Sequence, residues 1–281
     1  MRSIFIKASE PAIVHTKHFF AVLIILLPIS AICQEEDAAK AAQNPLANVI
    51  SLPFQNNSDF GIGMYNKTAS VVNIQPILPV NLGKKGWLLI NRFIIPLPKS
   101  SPDLSSEVAG NVTGLGDINY TAWFSPPIVG NLTFGFGFVS IWPTATEDLL
   151  GQGKFSLGPS VVLVYANPSW VGAAVISKWS SVAGDEARPD VNTFYFQYIF
   201  TYFLKKKWYL STAPINLANL EASKGEKWTV PLGGGFGKMI PGKIPLDIQT
   251  QAFYNIVKPE GGANWQLRVQ VKLIFPAGKK D

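Results

Sequence analysis

The chain has 281 residues, 47% of them hydrophobic and 15% charged, with a formal net charge of +6. Its two histidines and its single cysteine, His15, His18 and Cys33, all precede residue 34. A mature chain without residues 1–33 therefore lacks imidazole and thiol groups, which excludes Ser-His-Asp hydrolases, thiolate nucleophiles and zinc sites. The remaining positive excess is modest and forms no dense basic patch, so nucleic-acid binding is not indicated.

The N-terminus has the pattern of a secretory signal peptide. Three basic residues in 1–18 outnumber the acidic Glu10, and residues 19–32 are almost wholly apolar. This run is shorter than the about 20 residues of a membrane-spanning helix, which disfavours a retained signal anchor. We expect residues 1–33 to be removed before Gln34. Lipidation of Cys33 is the alternative, although the preceding Ile32 is unusual for a lipoprotein signal.

The segment 34–47 is rich in alanine and predicts a short helix. Two placements remain open for it: the periplasm, or the inside of a barrel as a plug.

From residue 48 onward the hydrophobic residues recur with period two, which is typical of strands. The predicted strands are 48–63, 68–80, 87–97, 115–125, 131–142, 155–166, 170–180, 191–204, 208–218, 228–240, 244–257 and 265–275. Twelve is an even number, as expected for a single-chain bacterial barrel with both termini in the periplasm. The sequence thus predicts an all-β fold, a closed antiparallel transmembrane β-barrel over 48–275, followed by a periplasmic tail at 276–281.

The last predicted strand shows the clearest division into two faces. Trp265, Leu267, Val269, Val271, Leu273 and Phe275 alternate with Gln266, Arg268, Gln270 and Lys272. A tilted strand of this length crosses about 25 Å of hydrocarbon. The strands at 115–125, 191–204 and 244–257 alternate in the same way, so we expect lipid on their apolar faces. A soluble barrel would expose these faces to water, which soluble monomers rarely do.

The connections alternate between short and long. The predicted short turns, such as 81–86 and 205–207, contain lysines, whereas the long loops, such as 98–114 and 143–154, contain most of the acidic residues. Short periplasmic turns and longer external loops produce this alternation. The eight tryptophans fall at or near strand ends, which favours aromatic girdles at the membrane interfaces. A second interpretation, that the tryptophans pack a soluble core, stays open at this point.

Charged residues on the predicted strands and loops suggest a solute pathway. Arg92, Lys178, Asp247 and Arg268 are predicted to line a narrow, partly apolar lumen. The loop 143–154 is predicted to fold inward as a constriction, with Glu147, Asp148 and Lys154 setting the charge of its mouth. The alternatives are a barrel filled with side chains, and a loop that packs only on its neighbours.

Catalytic and cofactor sites are not predicted. The pairs Glu147-Asp148 and Asp185-Glu186 offer carboxylates for acid–base work or Ca²⁺, but adjacent acidic residues in a loop more often form a solvated tip. The glycine-rich stretch 233–238 lacks the spacing of a phosphate loop and lies in a strand. Its glycines instead predict close packing inside the barrel wall.

Several stretches resemble a family of bacterial outer-membrane transporters whose members often carry the misleading label "neuromedin U". They are 44–57 (NPLANVISLPFQNN), 73–82, 114–117, 142–160 (WPTATEDLLGQGKFSLGPS), 183–192 and 228–232. That family is similar to outer-membrane proteins of the phenol meta-cleavage pathway. The resemblance implies an outer-membrane barrel that moves small organic, including aromatic, compounds, and it implies no catalytic residues.

The sequence therefore predicts a Gram-negative outer-membrane channel that passes small organic solutes by passive diffusion. The expected partners are outer-membrane lipids and lipopolysaccharide, the barrel-assembly machinery during biogenesis, and the solute itself. The alternative is a non-conducting structural or adhesive barrel whose external loops bind a partner. Substrate identity, direction of transport and oligomeric state stay open.

Overall fold

The computed structural model describes residues 40–128 and 130–276, which form one barrel. The predicted signal peptide and tail lie outside the described residues, apart from Pro276. Residues 40–43 are helical and precede the first strand. Within the described ranges, no helix is long and apolar enough to cross a membrane.

The barrel wall consists of strand segments that run antiparallel to their neighbours. They are β1 (Val49–Ile62), β2 (Lys67–Ile74), β3 (Ile77–Leu82), β4 (Trp87–Pro102), β5 (Asn111–Gly114), β6 (Ile118–Ser125), β7 (Leu132–Trp142), β8 (Lys154–Ala166), β9 (Trp170–Gly184), β10 (Asn192–Phe203), β11 (Trp208–Thr212), β12 (Ile215–Asn219), β13 (Trp228–Ile240), β14 (Leu246–Val257) and β15 (Trp265–Pro276). Short 3-10 turns occur at Gly83–Lys85, Asp148–Leu150 and Lys205–Lys207.

Three of the twelve wall positions are each occupied by two segments in line. β2 and β3 are interrupted at residues 75–76, β5 and β6 at 115–117, and β11 and β12 at 213–214. Both members of each pair contact the same neighbouring strand, for example β4 for β2 and β3. Proline occurs in two of these interruptions, where its missing N–H stops the ladder. The predicted count of twelve strands is confirmed.

The ring closes between the first and last strands. β1 pairs with β15 from Val49↔Pro276 to Phe60↔Trp265, and β10 pairs with β9 as well as with β11 and β12. Every wall position therefore has a neighbour on both sides. Among the described strands, closure pairs both edges of each wall position except at the external segment β5, which pairs only with β4. Paired edges are the condition for a sheet to lie in hydrocarbon.

The inward side of the wall is identified by Leu46. This side chain is 2% exposed and packs in one cluster with Ile90, Trp123, Val162 and Val171, which come from β4, β6, β8 and β9. One side chain reaches all four strands only from inside the ring. The opposite face of the same strands and of β7 presents large exposed hydrophobic side chains such as Phe134, Phe136, Phe138, Leu163 and Ile176.

The predicted faces of the later strands are confirmed. On β14, Asp247, Gln249 and Gln251 are buried inside the ring, while Ile248 and Tyr254 are exposed outside. β10 and β15 divide in the same way. Water would penalise such an outer face, whereas lipid solvates it.

Six of the eight tryptophans lie on the outer face, and several pack there against other aromatic rings. Trp265 stacks on Phe60 at a centroid distance of 4.1 Å, and Trp170 stacks on Tyr165 at 4.9 Å. Trp123 is different: it is 1% exposed, and its indole N–H donates to Ser160 Oγ at 2.9 Å inside the ring. Trp179 lies with the inward Tyr195, at 6.1 Å between centroids. The girdle prediction was therefore wrong for these two residues.

The external side is more ordered than the sequence predicted. The loop expected at 98–114 is mostly a hairpin, because β4 continues to Pro102 and pairs with β5. The Lys67 ammonium donates to the backbone oxygens of Asp103, Ser106 and Ala109 at 2.5–2.7 Å, which holds the tip together. The Asp103 carboxylate accepts from the Ser105 backbone N–H at 2.8 Å, and this hydrogen bond lowers the pKa of Asp103.

Candidate functional site in the barrel lumen

The described part of the N-terminal segment lies inside the barrel. Residues 41–45 and Ala47 border a central cavity of about 120 Å³, together with side chains from β1, β9, β10, β14 and β15. Leu46 packs into the apolar cluster described above, and Ala42 packs on Met239 and Ile274. Residues 41–47 thus lie in the lumen, and the placement of the whole segment 34–47 stays a prediction.

A buried acidic residue holds this segment to the wall. Asp247 is 0% exposed and accepts hydrogen bonds from Gln43 Nε2 at 3.0 Å and from the Tyr209 hydroxyl at 2.5 Å. Lys272 Nζ lies 3.9 Å from the same carboxylate and donates to the backbone oxygen of Ala42. A buried carboxylate needs several such partners, since its desolvation is costly.

Gly237 makes room for one of these partners. A Cβ atom at this position would lie 2.2 Å from the Tyr209 hydroxyl oxygen, inside the ring. The close packing predicted for the 233–238 glycines is thus present at Gly237. A residue without a side chain at this inward position allows the Tyr209 ring to reach Asp247.

Amide and guanidinium groups line one side of the lumen. Gln249 and Gln251 on β14 both donate to Ser211 Oγ, the latter at 2.8 Å. Arg268 on β15 is 4% exposed, and its Nε donates to Asn57 Oδ1 at 3.0 Å. This side, formed by β1, β14 and β15 with β11, is polar throughout the middle of the barrel.

The other side of the lumen is mainly apolar, although Arg92 on β4 and the hydrogen-bonded Ser160 and Ser177 on β8 and β9 also face inward. Ile90, Val162, Val164, Val171 and Val175 are each at most 3% exposed and belong to the Leu46 cluster, with Ile77 and Ile199 packed against it. These side chains come mainly from β4, β8 and β9. In the ring order, β9 lies across from β1, so the polar and apolar sides face each other.

The loop between β7 and β8 folds inward at the external end. Its backbone N–H groups at Ala145 and Gln152 donate to the Asp117 carboxylate at 3.2 and 2.7 Å. Its backbone oxygen at Leu150 accepts from Lys99 Nζ at 2.8 Å. The strand register places Lys99 on the inward side, since it pairs with Val71, which pairs with Asn57. The loop is therefore tied to inward-facing groups at the external mouth, and its role as a constriction stays a prediction.

The acidic residues of this loop lie at its rim. Glu147 and Asp148 are exposed, and Asp148 Oδ1 lies 3.5 Å from Arg188 Nη1. Arg188 also donates to the backbone oxygen of Gly151 at 2.6 Å, which ties the loop to the next one. Lys154 is buried just below, 3.4 Å from Asp190.

The seven residues predicted to line the lumen or its constriction do not all do so. Arg92 and Arg268 border the central cavity, and Asp247 lies inside the ring at the periplasmic end. Lys178, in contrast, is exposed on the outer face of β9, because the inward positions of that strand are Val171, Ala173, Val175 and Ser177. Its long side chain extends along the outer face toward the external end, where Nζ donates to Ser180 Oγ at 3.4 Å.

The sequence placed most of the inward amides and Lys272 on the polar faces of their strands but did not single them out as cavity residues. Gln55, Gln75, Gln197, Gln249, Gln251, Gln270 and Lys272 all border the cavity. The signal was present on β14 and β15, where these residues alternate with hydrophobic ones. Gln75, in contrast, lies in the break between β2 and β3.

We expect the acidic rim to control ion selectivity. Replacing Glu147 by Gln and Asp148 by Asn removes two negative charges from the mouth while keeping the size of both side chains. The expected result is a lower preference for cations, measured as a shift in reversal potential across planar bilayers under a salt gradient. Asp185→Asn is the matched control in a neighbouring loop; an identical shift from this control would contradict the assignment.

The comparisons with known proteins concern the fold. No family model matches the chain, and no curated protein matches it. Among solved structures, an outer-membrane channel from Pseudomonas putida F1 superposes with a TM-score of 0.62 at 14% identity, over 81% of this chain and 95% of that one. The NanC porin superposes with a TM-score of 0.51 at 12% identity, over 81% of this chain and all of that one. The fold is that of an outer-membrane β-barrel.

These likenesses agree with the coarser part of the sequence-based resemblance, an outer-membrane β-barrel fold. The "neuromedin U" label has no support in them, and the similarity to phenol-pathway proteins stays a prediction. Within the described residues, no three His, Cys, Asp or Glu side chains cluster to hold a metal ion.

Proposed function

We propose that this chain is an outer-membrane channel that passes small amphipathic organic solutes by passive diffusion. The observation that supports this proposal is the two-sided lumen. A cavity of about 120 Å³ lies between amide and guanidinium groups on one side and aliphatic side chains on the other. A structural barrel would fill its centre with packed side chains, whereas a solute with one polar and one apolar end fits this cavity.

The alternative, a non-conducting barrel, has an observation in its favour. Residues 41–47 occupy the lumen near the periplasmic end, and the 143–153 loop is bonded to Lys99 and Asp117 at the external end. Both elements reduce the cross-section, so the channel proposal requires that solutes pass beside them or that one of them moves.

Liposome swelling separates the two functions. We propose to compare glycine, phenylalanine, arabinose and raffinose as osmolytes with vesicles that contain the refolded chain, using protein-free vesicles as the control. Phenylalanine is expected to enter faster than the more polar arabinose, and raffinose is expected to be excluded by size. Vesicles that stay impermeable to all four solutes, even with the N-terminal segment deleted, would favour the non-conducting barrel.

A further inference from the structure

The central cavity contains positive charges that lack a carboxylate partner. Arg92 and Arg268 both border it, and neither lies within 4.0 Å of an acidic group in the described residues. All the hydrogen bonds of Arg268 go to neutral oxygens: Asn57 Oδ1 at 3.0 Å, Ala213 O at 2.8 Å, Gln251 Oε1 at 3.4 Å and Gln266 Oε1 at 3.2 Å. The Asp59 carboxylate accepts from Gln266 Nε2 at 2.8 Å, so it attracts Arg268 only at longer range, across the Gln266 amide.

Arg92 uses only some of its guanidinium N–H donors. Its Nη2 donates to Gln75 Oε1 at 3.0 Å, and it lies beside the Tyr195 hydroxyl. A guanidinium carries five N–H donors, so several remain for a further acceptor. Lys272 adds a third cation to the cavity wall, although Asp247 compensates part of its charge. Among the described residues that border the cavity, acidic side chains are absent.

A buried hydroxyl in the same wall also lacks a partner. Thr201 Oγ1 is fully buried on β10 and makes no hydrogen bond to any other described group. Unpaired buried hydroxyls are uncommon, because the lost hydrogen bond costs free energy. This O–H is therefore a second group on the cavity wall, besides the spare guanidinium donors, that a bound acceptor could satisfy.

The remaining side of the cavity fits an aliphatic group. Ile77, Val175 and Ile199 border it and belong to the apolar side of the lumen. A ligand with a charged end toward Arg92 and Arg268 would place its hydrocarbon end against these residues.

We infer that the central cavity is a binding site for small carboxylates with a short apolar body, and this inference rests on the proposed channel function. A planar carboxylate offers two oxygens that match the two parallel N–H groups of a guanidinium in a bidentate pair, whereas a halide ion offers one acceptor centre. The site therefore selects carboxylates among the solutes that enter the lumen.

Equilibrium binding tests the site without requiring transport. The full chain in detergent micelles is titrated with butyrate, acetate, butyramide and butylammonium, and binding is followed by ligand-observed NMR. Butyrate is expected to bind about tenfold more tightly than neutral butyramide, which lacks the charge-assisted hydrogen bonds. Acetate is expected to bind about tenfold more weakly than butyrate, because it lacks two buried methylene groups. Butylammonium is expected not to bind.

Substitutions locate the binding. R92Q and R268Q are each expected to weaken butyrate binding about tenfold or more. T201V keeps the shape of the side chain and removes only the hydroxyl, so a smaller loss is expected. K178Q removes a positive charge from the outer face of the same barrel and is the matched control, with unchanged affinity. If R268Q does not refold, R92Q and T201V still test the site.

The outcomes distinguish this site from the channel proposal. Equal binding of butyrate and butyramide, or butyrate binding that survives both R92Q and T201V, would overturn the carboxylate site. Displacement of butyrate by an equal concentration of chloride would overturn it too, since the cavity would then be a general anion site. If neutral solutes swell the liposomes but butyrate does not bind, only the carboxylate site is contradicted. If the barrel is impermeable but binds butyrate, only the transport proposal is contradicted.

Discussion

Deletion of residues 34–47 is expected to raise the single-channel conductance several-fold. The described part of this segment borders the central cavity and contributes Leu46 to the apolar cluster. Conductance depends on the open cross-section of the narrowest part, so removing a chain segment from a narrow lumen has a large effect. The measurement is single-channel current in planar bilayers, for the chain with and without residues 34–47.

The substitution Asn48→Ala provides a control at the junction between segment and wall. Asn48 is exposed, so this change leaves the segment in place and the conductance unaltered. An unchanged conductance after deletion would show that the restriction lies elsewhere, the inward-folded 143–153 loop being the next candidate.

The substitution Gly237→Val is expected to lower the free energy of unfolding by about 2–4 kcal/mol, from steric overpacking and a lost charged hydrogen bond. The valine side chain would occupy the position of the Tyr209 ring and push its hydroxyl away from Asp247. Asp247 is fully buried and would lose its shortest hydrogen bond. Urea unfolding of the refolded chain in detergent, followed by tryptophan fluorescence, measures the change.

Two further variants make this prediction specific. Gly110 lies in an external loop, where a Cβ atom would have no neighbouring atom within 4 Å, so Gly110→Val is expected to have little effect on stability. In a double-mutant cycle, Tyr209→Ala should reduce the cost of Gly237→Val, because the clashing ring is absent. Equal costs of Gly237→Val in both backgrounds would contradict the packing explanation.

The fold was largely predictable because the environment changes from lipid to lumen at each successive residue. In strands such as β14 and β15, apolar and polar residues alternate along the sequence, so the two environments can be read from it directly. The prediction failed where one residue type suits both environments. Lys178 was assigned to the lumen because it is charged, yet a lysine near the membrane surface extends to water. Trp123 was assigned to the interface, yet its indole N–H finds a partner in Ser160 inside the ring.

The candidate site was less predictable than the fold. Arg92 and Arg268 were recognised as separate lumen residues, but they come from β4 and β15, and only the register of the closed ring brings both to one cavity. Gln75 lies in the break between β2 and β3, where the alternation is not readable. The unpaired hydroxyl of Thr201 is a property of its surroundings, which no local pattern in the sequence specifies.

The pairing of β1 with β15 has a consequence for biogenesis. Gln266 donates to Asp59 across this junction, although 207 residues separate them along the chain. Contacts of such high sequence separation form late and slowly in folding. One edge of β1 therefore stays unpaired until β15 has been synthesised and can pair with it. A polypeptide truncated before β15 would carry two open edges and is expected to aggregate or be degraded.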